Sequence, residues 1–359
     1  MKVLFAVIDG ASPRHVDPTV MPTLHGLARN GAWCRAGAIG VLPTSTYPNH
    51  ATFVTGESPA VHGIVANEWP SPLGTVSSWD VGPSVPTIFD SMRAAGRPSA
   101  AVFGDDHLVG VTGAGRADVL WPEGGFDADV TRDVLGYATD GETVGRVTQA
   151  VEQGCELVVA QLNETDTVAH IFGPDSDQAL EHYRKVDGLL SRLVDSLRHE
   201  WGEWAVVVVS DHSQETVTVA EPIDLRAEAA ARHLLGDVID DGSTAVIGGE
   251  LAVDAGWTTD VTGVEGFHRV DADTVLVWAR TGRWFSPIAL PVHGVHGSPR
   301  TSAQVAVVGG GHPKAEQFRT VLAEGRPRST MWAPAVAELL GVVAPADLDR
   351  TDWAPPEPG

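Results

Sequence analysis

The side chains able to do chemistry fall in five short stretches. They are Asp9-Gly10, Thr44-Ser45-Thr46-Tyr47-Pro48-Asn49-His50, Asp166 with His170, Asp211-His212, and His293-Gly294-Val295-His296-Gly297. Three carboxylates, two imidazoles and a third imidazole from His293 or His296 make a donor set for borderline divalent metals, zinc above all. Two ions with three protein ligands each would leave open positions for a substrate. The hydroxyl cluster follows an apolar run at 38–41 and precedes a helix-compatible run at 51–55, closed by Gly56. A hydroxyl at such a junction lies near free backbone N–H groups and the positive end of a helix dipole. That is where a phosphate binds and where a nucleophile would attack one. Each stretch has a plainer reading when taken alone. Asp9-Gly10 suits a strand-end turn, the three hydroxyls suit helix caps, and Asp166 with His170 suits a loop aspartate beside a surface histidine. Asp211-His212 after a valine run resists that treatment, because ionisable groups at a buried strand end need partners. Spacing alone does not separate His293 from His296, and His62 reads as structural.

The surrounding elements must hold these residues together. β-prone apolar runs at 3–8, 38–41, 99–103, 156–162, 204–210 and 304–308 read as strands, several of them continuous enough to be covered on both faces. Helical patterns fall at 22–31, 141–153, 176–200 and 331–340. The clearest is 176–200, whose Leu180, Tyr183, Val186, Leu190, Leu193 and Leu197 form one apolar face. The alternation predicts an α/β fold with a largely parallel sheet. The motif residues then lie just past strand carboxyl ends, the edge where such sheets bind ligands. Residues 58–67 read as loop and 110–127 as weakly patterned. Residues 222–292 lose the strand–helix rhythm and read as an insertion beside the active site, inside one catalytic domain over 1–350. Residues 351–359 read as a disordered tail.

The chain has 359 residues, 43% of them apolar, enough for a large core. Its 24 Lys and Arg against 47 Asp and Glu give a formal charge of −23. That argues against a nucleic-acid polymer or an anionic membrane as partner. It leaves a small anionic substrate open, because bound metal ions reverse the local charge. Cys34 and Cys155 are far apart and read as buried free thiols. The N-terminal apolar run is too short and too soon acidic for a signal peptide, and no run reaches membrane-spanning length. A soluble cytoplasmic protein is the expectation, with its oligomeric state open.

In this order, the stretches resemble the alkaline phosphatase superfamily, and within it the type I phosphodiesterase/nucleotide pyrophosphatase branch. Thr46-Tyr47-Pro48-Asn49-His50 is similar to that branch's nucleophile motif, and Val54-Thr55-Gly56-Glu57-Ser58-Pro59-Ala60-Val61-His62-Gly63-Ile64 to its continuation. Asn67 resembles its phosphate-contacting asparagine, Asp166 and His170 its Asp-x-x-x-His motif, and Ser210-Asp211-His212 its Ser-Asp-His motif. The late His-Gly is best matched by His296-Gly297, because a strand follows after the usual short gap. The resemblance runs from residue 1 to 345 or so and is weakest at 222–292.

The resemblance implies an alkaline-phosphatase-like three-layer sandwich with a central, largely parallel sheet. It implies two divalent metal ions, zinc by preference. One would be held by Asp166, His170 and His296, the other by Asp9, Asp211 and His212, with Thr46 as a further ligand and the nucleophile. Asn67 would bind substrate. The implied activity is hydrolysis of a phosphodiester or nucleotide pyrophosphate bond in a small phosphorylated substrate, through a phospho-threonine intermediate. Phosphomonoester hydrolysis on the same site would add a cation that the sequence does not locate. Carbon–phosphorus hydrolysis of the phosphonoacetate type would need substrate-binding lysines. Only Lys2, Lys185 and Lys314 exist, none near the nucleophile in sequence. A catalytically silent metal-binding protein on the same fold is the alternative from another class.

Overall fold

The protein is described from a computed structural model covering residues 1–71, 73–286 and 292–346. In chain order, the elements that matter for the site are β1 (Lys2–Ile8), α1 (Pro22–Asn30), β2 (Ala32–Trp33), α2 (Thr46–Thr55), β3 (Ser99–Phe103), β4 (Val119–Trp121), α3 (Asp140–Glu152), β5 (Leu157–Leu162), α4 (Glu164–Phe172), α5 (Asp177–Ser196), β6 (Trp204–Val209), β7 (Val238–Asp241), β8 (Thr244–Gly248), β9 (Val264–Arg269), β10 (Thr274–Ala279), β11 (Ala306–Gly310) and α6 (Trp332–Leu340).

A seven-stranded sheet runs β2-β11-β6-β1-β5-β3-β4. The strands β6, β1, β5, β3 and β4 are mutually parallel, while β11 and β2 close one edge antiparallel. Alternation along β1 sends Val3, Phe5 and Val7 to one face and Leu4 and Ile8 to the other. The first face is covered by α2 and α6, the second by α1, α3 and α5. Burying each Leu-, Ile- or Phe-sized side chain contributes about 1.5–3 kcal/mol, so both layers anchor the sheet. This is the α/β fold with a largely parallel sheet that the alternation predicts, in the three layers that the resemblance implies.

Four local expectations change. The run at 38–41 forms only a two-residue strand, Ala38–Ile39, which pairs antiparallel with Ala303–Gln304 outside the central sheet. The hydroxyl cluster therefore leaves a loop, fixed by the pairing of Thr44 with Gly297, rather than a central strand. Asp166 and His170 lie within α4 and not in a strand-end loop, so their i, i+4 spacing puts both on one helix face. The weakly patterned 110–127 supplies the edge strand β4. The strand expected at 304–308 starts two residues later and runs antiparallel to β6.

Residues in 222–292 build a second, fully antiparallel sheet ordered β7-β8-β10-β9. One face packs Ala245, Ile247, Val275 and Val277 onto Leu225, Leu251 and Phe285. The other face brings Val246 and Leu276 against Leu42 and Ala66. Those two residues flank the loops carrying Thr46 and Asn67, so this small sheet rests on them. The tail expected at 351–359 lies outside the described residues. Among the described residues no helix is long and apolar enough to cross a membrane.

Candidate active site

The carboxyl ends of β1, β5 and β6 deliver Asp9, α4 and Asp211-His212 to one edge of the sheet. Gly10 allows the closest approach. Its φ of +68° is left-handed, and a Cβ there would lie 2.9 Å from Asp166 Oδ1. Asp9, Asp211 and His212 then offer ligand atoms within 4.8 Å of one another, as do Asp166, His212 and His296. His170 joins through Asp166, with Nε2 3.2 Å from Oδ2. The ring of His296 stacks on His212 at 3.8 Å and lies 5.0 Å from His170. His293 is exposed and meets the site through its backbone alone, its N–H donating to the His170 carbonyl.

Each imidazole is oriented by its far nitrogen. Nδ1 of His170 faces Gly294 O at 2.8 Å, that of His296 faces Thr44 O at 3.1 Å, and that of His212 faces Ser213 O at 3.3 Å. A carbonyl only accepts, so Nδ1 carries the proton of the neutral ring and the Nε2 lone pair points to the centre. The carboxylates are oriented in the same way. Gln161 Nε2 donates to Asp9 Oδ2 at 2.7 Å, Gln214 Nε2 to Asp166 Oδ1 at 2.5 Å, and the backbone N–H of Gly10 and of His212 to Asp211 Oδ1 at 3.1 and 3.0 Å. Asp9 Oδ1 and Asp211 Oδ2 remain buried with no hydrogen-bond partner. Unpartnered carboxylate oxygens and imidazole lone pairs around one point are what divalent cations would satisfy, and the residues present fit them.

Charge tells the same story. Burial, reinforced by Asp211 and Asp166, pushes the Asp9 carboxyl well above its usual value. Burial also opposes ionisation of Asp166, yet His170 and then His296 hold it below the usual range. Burial, aided by His212, drives His296 well below an ordinary imidazole.

The three neighbouring hydroxyls separate cleanly. Thr44 Oγ1 donates to Ser298 O at 2.8 Å, and Ser45 Oγ donates to Asp241 Oδ2 at 2.7 Å. Thr46 Oγ1 faces the cluster, 3.4 Å from His212 Nε2. None of the three caps α2 through its side chain: Ser45 is the N-cap residue and its hydroxyl makes no cap bond. The supply of free N–H groups expected at this helix start is smaller than the sequence suggests. Pro48 has none, and the Tyr47 N–H is taken by Asn67 Oδ1 at 3.2 Å. His62 is fully buried between Thr52 Oγ1 at 3.0 Å and the Ile64 N–H at 3.1 Å, a packing role.

Thr46, Asn67, Asp166, His170 and His296 line a cavity of about 190 Å³ together with Tyr47, Asp105, Leu135, Tyr137, Asn163, Asp241 and Gly242. Sites for drug-sized ligands run to roughly 300–1,000 Å³, so this hollow suits the reacting group, with the rest of a larger ligand projecting from the mouth. A larger hollow of about 600 Å³ between Trp79, Pro83 and Arg116 contains none of the converging groups.

Sequence reasoning missed Gln161, Gln214 and Asp241. Gln161 carries a legible signal, a lone polar residue inside an apolar strand. Asp241 carries none, since it lies in the segment without pattern.

The chain matches known proteins over most of its length. A family model described as type I phosphodiesterase / nucleotide pyrophosphatase matches residues 3–263. Human ectonucleotide pyrophosphatase/phosphodiesterase family member 7 is 26% identical over 229 residues, covering 60% of this chain and 48% of the relative. Human family member 5 is 27% identical over 258 residues, covering 68% of this chain and 51% of the relative. The chain thus spans about half the length of these curated relatives. Among solved structures, murine ectonucleotide pyrophosphatase/phosphodiesterase 5, in an inactive form complexed with AMP, superposes with a TM-score of 0.73 at 19% identity, covering 96% of both chains. Phosphonoacetate hydrolase from Sinorhizobium meliloti 1021 superposes with a TM-score of 0.72 at 20% identity, again over 96% of both chains. These likenesses fix an alkaline-phosphatase-like fold, and the extent of the family match makes the chain a member of the type I phosphodiesterase/nucleotide pyrophosphatase family.

Proposed function

We propose that the chain is a metal-dependent hydrolase of phosphodiester or nucleotide pyrophosphate bonds that works through a covalent intermediate on Thr46. The observation that carries this reading is the separation of the three hydroxyls: Thr44 and Ser45 are committed elsewhere, and Thr46 faces the converging ligands. The murine relative is inactive in a threonine-to-alanine form complexed with AMP, which supports both the residue type and a nucleotide-like substrate. One metal would be held by Asp166, His170 and His296, the other by Asp9, Asp211 and His212 with Thr46, zinc fitting the oxygen and nitrogen donors. Bound there, the ions would supply Lewis-acid charge that acidifies a hydroxyl and stabilises anionic oxygens. The chain's own groups do the rest. Thr46 Oγ forms the bond to phosphorus as the leaving oxygen departs in line, and water then cleaves the phospho-threonine ester and restores the hydroxyl. Asn67 donates to a non-bridging oxygen as its charge develops. Residues 222–292 act as a substrate-side insertion in one catalytic unit over 1–350, contributing Asp241 and Gly242 to the cavity wall.

None of the cavity's lining side chains among the described residues is Lys or Arg. The doubly charged head of a phosphomonoester, or the carboxylate of phosphonoacetate, finds no protein cation there. The expected order of kcat/KM is bis-p-nitrophenyl phosphate well above p-nitrophenyl phosphate, with phosphonoacetate lowest and a nucleotide panel identifying the natural class. A preference for the monoester or the phosphonate would transfer the assignment to those chemistries.

The two late histidines give a separate test. His296→Ala is expected to lower metal content and to cost roughly 100-fold or more in turnover, since it removes an oriented ligand. His293→Ala, altering an exposed side chain, should stay within about threefold, as surface changes usually do. The reverse order would move the late ligand to His293.

A further inference from the structure

Asp241 ends β7 of the small sheet, yet its half-buried carboxyl group stands in the wall of the cavity that holds Thr46. Both oxygens are used. Oδ2 accepts from Ser45 Oγ at 2.7 Å, and Oδ1 accepts from Asn67 Nδ2 at 3.2 Å. Asn67 is held at its other end as well, where Oδ1 accepts from the Tyr47 N–H at 3.2 Å. These contacts leave the amide one orientation. A backbone N–H only donates, so the Asn67 oxygen must face Tyr47 and its NH₂ must face Asp241. One Nδ2 proton goes to the carboxyl group. Because the amide is planar, the direction of the second proton is then fixed too. Asn67 and Thr46 border the same cavity.

We propose that Asp241 is a positioning residue for the reaction: it holds the Asn67 amide so that its remaining N–H meets a phosphoryl oxygen of the substrate, and its hydrogen bond with Ser45 Oγ anchors that side chain on the small sheet, apart from Thr46. The inference rests on the phosphoryl-transfer reading above. It makes the small sheet part of the catalytic apparatus, because the residue that orients an electrophilic donor of the main domain comes from its first strand.

The test compares kcat and KM on bis-p-nitrophenyl phosphate for the wild type, Asp241→Ala, Asp241→Asn, Asn67→Ala and the Asp241→Ala/Asn67→Ala double variant, with metal content measured in each. Losing a supporting partner of this kind should lower kcat about 10–100-fold in Asp241→Ala. KM should move little, since the interaction grows in the transition state. Asp241→Asn should regain most of the loss, because its carbonyl accepts from Asn67 and its amide donates to Ser45. In the Asn67→Ala background, Asp241→Ala should cost no more than about twofold, the non-additivity expected of residues acting as one unit. Native kcat in Asp241→Ala, equal damage from asparagine and alanine, or additive losses in the double variant would each overturn the proposal. Asp241→Ser, too short to reach Asn67, replaces the alanine variant if that one does not fold. Thr46→Ala serves as the control. Its full activity would remove the phosphoryl-transfer reading and this role together, whereas an inactive Thr46→Ala beside a native Asp241→Ala removes this role alone.

Discussion

Thr46→Ala is expected to fold, to keep its metal and to lose several orders of magnitude in kcat on a phosphodiester. The fold should survive because Thr46 is the first residue of α2, while Asn49 secures the turn by bonding Val41 N and Ser45 O through its own side chain. Metal should stay because six other ligands remain. Turnover should collapse because the bond to phosphorus has no oxygen to form from, and the two hydroxyls beside it are committed to Ser298 and Asp241. Thr46→Ser keeps the hydroxyl and should retain appreciable activity. Thr44→Ala and Ser45→Ala should cost far less than Thr46→Ala. Measuring kcat and metal content on all four variants decides the matter, and a metal-loaded Thr46→Ala with near-native turnover would reduce the hydroxyl to a helix-terminus residue.

Removal of metal is the second large effect. Chelation should abolish diester hydrolysis and lower the melting temperature by several degrees. Re-addition of zinc should restore both, with close to two ions per chain. The stability change follows from the carboxylates. Without cations, Asp9 Oδ1 and Asp211 Oδ2 are buried and unpartnered, and burial with mutual repulsion raises Asp9. A ligand present at 100 times its Kd stabilises the folded state by about 2.7 kcal/mol per site. Full activity in protein freed of metal would exclude the two-ion site.

Much of this was legible in the sequence because strand ends carry chemistry. A run such as Val206 to Val209 has to be buried, so the Asp211-His212 that follows has to find partners. The same logic brings Asp9 to that edge from β1. The i, i+4 step of Asp166 and His170 was equally visible, although a helix, not a loop, presents them. Two kinds of feature were not legible. The loop before Thr46 is held by long-range contacts, Thr44 with Gly297 and Gln304 Nε2 with Asn49 Oδ1 at 2.9 Å, which no local pattern encodes. Asp241 belongs to a segment whose short antiparallel strands carry weak periodicity, so its contact with Ser45 and Asn67 emerges only from the packing of the small sheet on the loops beside the site. His293 and His296 lie three residues apart, on either side of the short strand Gly294–Val295, and the pairing of Thr44 with Gly297 directs His296 inward.

The proposed reaction makes two displacements at phosphorus: Thr46 Oγ displaces the leaving oxygen, and water then displaces Thr46 Oγ. Each in-line displacement inverts the configuration at phosphorus, so two restore it. The most direct measurement is hydrolysis of a chiral phosphorothioate diester in isotopically labelled water, with the configuration of the product read at phosphorus. Retention is the predicted result. Inversion would mean that water attacks the substrate directly, and it would contradict the covalent role given to Thr46.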